Sequence, residues 1–291
     1  MTPPRSRGAA AADYTAPMDR TATQVLVFIG GGNMASAIVG GLLEAGRAAS
    51  SIRIVEPLAE ARERLAARFG VATLAAPDAS LVGASMVVWA VKPQLFREAA
   101  APCRGWLANA LHLSVMAGIR SDTIVAAAGS ARVVRAMPNT PALIGQGIAG
   151  LFARDAVSAE ERAQVEAVLA PTGQVLWVEH EDDLDAVTAL SGSGPAYVFY
   201  FVEAMMQAAQ EMGLNAEQGR QLALATFSGA SALAAQSGEA PALLRERVTS
   251  KGGTTYAAIT AMQDSGVAEA FIKALHAARL RAQALGAEFG G

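Results

Sequence analysis

Between Val25 and about Val178 the chain alternates short, uniformly apolar runs with longer amphipathic stretches. Val25–Ile29, Ile52–Val55, Ser85–Val91, Leu111–Val115, Arg132–Ala136, Gly147–Phe152 and Val175–Val178 read as strands. Met34–Ala45, stopped by Gly46, and Leu58–Phe69, stopped by Gly70, read as helices. Strands that are apolar at every position need cover on both faces, so the pattern predicts a doubly wound, mainly parallel sheet. After Glu181 the strand signal ends. Ala196–Met212, Ala216–Ala235, Pro241–Val248, Thr254–Gln263 and Val267–Leu285 all carry helical periodicity. The expectation is an α/β domain over residues 23–180 and an all-α domain over 181–291, preceded by an extension over 1–22. Tyr197–Met206 is apolar on more than one face, more than a small helical domain can bury. We therefore expect a subunit interface through the C-terminal helices, the competing reading being a compact monomer.

Composition narrows the class. At 291 residues, 52% of them hydrophobic, the chain can hold two cored domains. A net charge of −3, with Lys and Arg scattered, carries no footprint for nucleic acid. Cys103 is the only cysteine, which excludes an intrachain disulfide and a four-thiolate metal site and fits a cytoplasmic setting. No run approaches the ~18 apolar residues of a membrane span; Met86–Val91 has the length of a buried strand. The first ~20 residues, rich in Ala, Pro and Arg, read as disorder rather than as a secretory signal. Asp13 and Asp19 count against a transit peptide, and Met18 is an alternative start.

Gly30-Gly31-Gly32-Asn33-Met34-Ala35 has the form G-x-G-x-x-A between an apolar strand and a helix. That context makes it a Rossmann-type dinucleotide fingerprint. Gly30 permits the tight turn, Gly32 the approach of a diphosphate, and Ala35 the close packing of helix on sheet, while the helix N-terminus faces the phosphates. Glu56 ends the second strand, 24 residues after Gly32. An acid there binds the adenosine ribose of NAD and repels the 2′-phosphate of NADP, yet Arg53, Arg62 and Arg64 are near enough in sequence to hold that phosphate. NADPH and NADH both stay open, as does a plain solvated surface. Ala90-Val91-Lys92-Pro93 leaves the end of a buried strand, where ligands of open α/β sheets sit; a lysine in solvent is the alternative. Met116-Ala117-Gly118 and Asn139 also follow strand ends and are expected near the nicotinamide. No metal ligand set stands out.

Five stretches together resemble the pyrroline-5-carboxylate reductase family. They are Phe28–Ala35, Ala90–Gln94, Arg135–Pro141 (RAMPNTP), Ser191–Tyr197 (SGSGPAY) and Val248–Thr255 (VTSKGGTT). The resemblance implies a Rossmann domain, a helical domain shared with a partner subunit, and dimers or larger assemblies of dimers. It implies reduction of 1-pyrroline-5-carboxylate to proline, commonly with NADPH and often also with NADH. It places the substrate carboxylate on Ser250, Gly253 and Thr254, and the Thr255 hydroxyl on the ring nitrogen. The chain departs from the family at Lys251, usually Pro, and at Glu56, usually small and polar in NADPH-preferring members.

The residues themselves are compatible with that chemistry. Glycines ahead of a helix can form a nest of N–H donors for an anion, although a simple Thr N-cap would use the same residues. Reducing a protonated imine yields the amine directly, so the site needs position and desolvation more than a proton donor. His112, His180 and His276 all fall outside the five stretches. Ser191–Tyr197 is not a G-x-S-x-G elbow, which argues against a hydrolase. Two alternatives stay open. β-Hydroxyacid dehydrogenases share the plan but carry a lysine on the first long helix of the second domain, and Ala196–Met212 has none. The other is a dinucleotide-binding sensor without catalysis.

Overall fold

The computed structural model describes residues 24–290, so the expected extension over 1–22 lies outside the described residues. Eight strands form one sheet: β1 (Leu26–Ile29), β2 (Ile52–Val55), β3 (Ala72–Leu74), β4 (Met86–Trp89), β5 (Leu111–Ser114), β6 (Val133–Met137), β7 (Gly147–Ala153) and β8 (Gly173–Trp177). Their order is β3-β2-β1-β4-β5-β6-β7-β8. Every neighbouring pair is parallel except β6–β7. That reversal follows from length. Only residues 138–146 join β6 to β7, too few for the crossover that a parallel pair requires.

Around the sheet lie α1 (Asn33–Glu44), α2 (Ala59–Phe69), α3 (Phe96–Ala100), α4 (Arg104–Leu107), α5 (Ser121–Ala128) and α6 (Ala159–Leu169). The sheet is followed by α7 (Asp183–Val187), α8 (Gly194–Glu211), α9 (Ala216–Ser237), α10 (Pro241–Arg247), α11 (Thr254–Asp264) and α12 (Val267–Gly290). Capping boxes fix two starts: Ser158 with Glu161 at α6, and Asn215 with Gln218 at α9. Several elements differ from the sequence reading, which names none of the helices α3 to α7. The edge strand β3 is three residues long with Ala72 exposed, too short to show a period. And α12 runs to Gly290, past the Leu285 at which periodicity fades.

The sheet divides the core in two. Phe28, Ile38, Ile54, Val88, Leu113 and Val165 pack on the α1/α6 face. Val27, Trp89, Phe96, Leu107, Ile119 and Ile124 pack on the other, where Phe289 of α12 joins them. The last helix therefore returns to the first domain. On this second face Trp89 Nε1 donates to His112 Nδ1 at 3.1 Å, with both residues 1% exposed or less. Cys103 is buried there as well, and burial pushes its thiol up to about 12. No helix among the described residues is long and apolar enough to cross a membrane. The helical region leaves large apolar side chains open, among them Phe199 (59% exposed), Tyr200 (71%) and Leu280 (65%).

Burial also pushes the His112 imidazole down from 6.5 to about 4. Its folded value lies below its unfolded one, so its contribution is present above about pH 6.5 and is lost as pH falls toward 4. One proton over that window corresponds to about 3 kcal/mol at most, at ~1.36 kcal/mol per pH unit. We predict that His112→Gln, which keeps an acceptor for Trp89, loses less stability than the parent between pH 6.5 and 4.5. Parallel slopes in denaturant melts would show that His112 does not titrate as described.

Candidate active site

The cofactor edge begins where β1 ends. Gly30 has φ +96, and a Cβ there would stand 2.7 Å from the Ala90 carbonyl oxygen and 2.9 Å from Val91 Cγ1. Only glycine allows this turn, because the end of β4 passes directly beneath it. The turn is tied to the sheet on both sides: Gly30 N–H donates to Val55 O, and Ala90 N–H donates to Ile29 O. Helix α1 then starts at Gly32 with no side-chain cap and no acid in its first turn. The space in front of Gly32 is open, Asn33 is exposed, Met34 is half-buried and Ala35 is fully buried against the sheet. Uncapped amides at the positive end of a 12-residue helix form a phosphate seat.

Glu56, at the end of β2, is bound more tightly than its sequence position implies. Its Oε2 accepts the Gly31 N–H at 3.0 Å and its Oε1 accepts the Leu58 N–H at 3.1 Å. The carboxylate thus braces the glycine turn from the side on which an adenosine ribose would lie. Arg62 Nη1 donates to the carbonyls of Glu56 (2.9 Å) and Pro57 (2.7 Å), which places a cation beside the acid. Arg53 is half-buried on β2, and Arg64 faces Glu60 at the surface. Nothing local in the sequence announces the bond between Glu56 and Gly31, since it joins residues 25 apart.

Beyond β4, Ala90, Val91 and Pro93 are half-buried and Lys92 is exposed. After β5, Met116 is buried and its N–H donates to Ser114 Oγ at 3.3 Å. Ala117 is half-buried, and Gly118 packs against Leu285 and Phe289 of α12. Asn139 is a link between domains. Its Nδ2 donates to Ser191 O at 3.2 Å, and its Oδ1 accepts the Ile148 N–H at 3.0 Å. Ser191 belongs to a π-helical turn over Thr188–Gly192 that joins α7 to α8, and Met137 packs on Gly192. The Ser191–Tyr197 stretch thus docks on the sheet domain through its small residues.

The loop before α11 forms a second seat. Gly252 has φ +75, Gly253 caps the helix, and no side chain bonds to the cap amides. Neither Thr254 nor Thr255 acts as the N-cap. A Cβ on Gly253 would stand 2.7 Å from Ser250 Oγ, so the hydroxyl folds directly over the glycine. Thr255 is half-buried and Thr254 exposed. Within one chain the two seats are not brought together. Helix α11 packs on α12, and neither α10 nor α11 packs substantially on any element of the sheet domain.

A doubly wound sheet with a glycine turn, a bare helix N-terminus and an acid at the end of β2 defines a nicotinamide-dinucleotide oxidoreductase. Comparison with known proteins narrows the class. Residues 181–285 match the family model described as "Pyrroline-5-carboxylate reductase dimerisation", and residues 25–118 match "NADP oxidoreductase coenzyme F420-dependent". The chain is 42% identical to pyrroline-5-carboxylate reductase of Pseudomonas aeruginosa, over 92% of this chain and 99% of that one. It is 38% identical to the Haemophilus influenzae enzyme of that name, over 89% and 97%. Among solved structures, pyrroline-5-carboxylate reductase from Coxiella burnetii superposes with a TM-score of 0.85 at 36% identity, covering 90% of this chain and 98% of that one. The Plasmodium falciparum pyrroline carboxylate reductase with NADP bound gives 0.80 at 25% identity, with the same coverage. The chain belongs to the pyrroline-5-carboxylate reductase family.

Glu56→Ser removes the carboxylate at the end of β2 and leaves Arg62 in place. We predict at least a tenfold rise in the ratio of kcat/KM for NADPH to that for NADH, or about 1.4 kcal/mol. An unchanged ratio would mean that the carboxylate serves the glycine turn alone.

Proposed function

We propose that this protein reduces 1-pyrroline-5-carboxylate to L-proline with NADPH or NADH, the final step of proline synthesis. The observation that carries the reading is the Ser250–Thr255 loop, an uncapped helix start shaped for a small carboxylate and combined with a dinucleotide edge in a member of this family. Gly30, Gly32, Asn33, Met34 and Ala35 hold the diphosphate. Ala90, Val91, Lys92 and Pro93 form the neighbouring wall, Glu56 faces the ribose, and Met116, Ala117, Gly118 and Asn139 frame the nicotinamide end. Ser250, Gly253 and Thr254 hold the substrate carboxylate.

When bound, the reduced nicotinamide supplies the hydride. The carbon of the protonated C=N accepts it, the π electrons pass to nitrogen, and the ring leaves as a neutral secondary amine. The substrate brings its own proton, so no general acid is required. The Thr255 hydroxyl fixes the ring nitrogen, and the carboxylate seat fixes the opposite side of the ring, which sets the face presented to hydride.

The two seats stand apart within one chain, and the helical region leaves apolar side chains uncovered. Both facts support a homodimer, or a larger assembly of dimers, built through α8–α12, with the partner's Ser250–Thr255 loop completing each site. An apolar groove of about 600 Å³ beside Asn139, lined by Leu190, Tyr197, Phe199 and Phe227, is suited to partner helices. A buried lone cysteine and the lack of a membrane-length helix among the described residues fit a cytosolic setting.

Steady-state turnover of pyrroline-5-carboxylate with each reduced cofactor tests the reading, and turnover of 3-hydroxyisobutyrate alone would reject it. Thr255→Ala should lower kcat/KM for the imine by more than tenfold, through loss of one pocket hydrogen bond worth about 1.5–3 kcal/mol. A value equal to the parent's would remove Thr255 from the site.

A further inference from the structure

A cleft of about 300 Å³ opens where α12 returns to the sheet domain, on the side of β6 away from α1 and α6. Arg120, Arg135, Asp182, Asp185, Gln283 and Gly286 line it. Most of its charges are matched. Arg135 Nη1 donates to Glu181 Oε1 at 2.8 Å, and Arg120 Nη2 donates to Asp182 Oδ1 at 2.8 Å. Glu181 also accepts the Ser121 N–H (2.6 Å) and hydroxyl (2.7 Å), which anchors it at the start of α5.

Two groups are left over, and they are of opposite kind. Arg135 is only 7% exposed, and its Nε–H has no acceptor. A buried donor without a partner is costly and calls for an explanation. Asp185 is half-buried, and its carboxylate has no hydrogen-bond or ion-pair partner among the described residues. Burial pushes its carboxyl up, while Arg135, Arg120 and Arg279 act on it only through space. A donor in need of an anion and an anion in need of a cation share one cleft. The remaining wall is small and apolar at Gly286 and Gly118.

We propose that this cleft is a regulatory site for a small zwitterionic α-amino acid, its carboxylate on Arg135 and its ammonium on Asp185. Neither an anion nor a cation alone satisfies both groups. The cleft is coupled to the cofactor edge through Gly118, which forms one wall and continues the Met116-Ala117 segment after β5. A ligand that bridges β6 and α7 fills the cleft against Gly118 and Gly286 and so packs on that segment. The proposal does not depend on the identity of the substrate, because the ligand is recognised by residues outside both seats.

The test is binding rather than turnover. L-Alanine, a zwitterionic probe without the ring that the Ser250–Thr255 seat is proposed to hold, is soaked into crystals of the full-length, cofactor-free protein and titrated calorimetrically, with propionate as a probe carrying only the carboxylate. We expect density for L-alanine between Asp185 and Gly286. Affinity should fall at least tenfold in Asp185→Asn and in Gly286→Val, and propionate should not compete. The second variant fills the cleft without a backbone clash, since a Cβ at 286 meets nothing nearer than Gly118 O at 3.9 Å. Ordered water only in the cleft, equal affinity in both variants, or displacement by propionate would each overturn the proposal. None of these results bears on whether pyrroline-5-carboxylate is reduced.

Discussion

The cofactor edge depends on how closely two strand ends approach each other. Gly30 lies so near the Ala90 carbonyl that no side chain fits between them. That contact fixes the direction in which α1 leaves the sheet and brings the segment after β4 alongside the phosphate seat. The hydrogen bonds from Gly30 to Val55 and from Ala90 to Ile29 lock the turn to strands on either side. Glu56 braces the same turn through Gly31. A single carboxylate thus ties the end of β2 to the shape of the glycine turn.

The second organising region is the domain junction. Helices α7 and α8 are one helical run interrupted by a π turn, a form often found at functional sites. Asn139 ties the turn to β7 with both ends of its amide, and Glu181 ties the start of α5 to Arg135 in β6. These polar links hold the helical region against the sheet where it meets the cofactor edge, while α10 and α11 reach away from it.

Local features were legible in the sequence, and long-range ones were not. The strands β1 and β4 are continuous apolar runs, and the glycine turn announces itself between one of them and a helix. The same holds for the glycines before α11, although the sequence left a Thr N-cap open and the structure puts Gly253 there. Strand β3 escaped because three edge residues carry no period. The reach of α12 to Gly290 escaped because Phe289 is half-buried against a distant part of the chain and not by its own helix. The roles of Glu56 toward Gly31, of Asn139 and of Arg135 depend on partners 25, 52 and 46 residues away, which no local pattern encodes.

The state of Cys103 has a chemical consequence of its own. Its thiol lies in the second core beneath β4, and burial raises it to about 12. Peroxide and electrophiles attack the thiolate, and at neutral pH this side chain supplies almost none. The folded protein therefore offers oxidants no sulfhydryl handle at Cys103. Opening of that core would expose the group, so a thiol-reactive dye would report unfolding and remain silent otherwise.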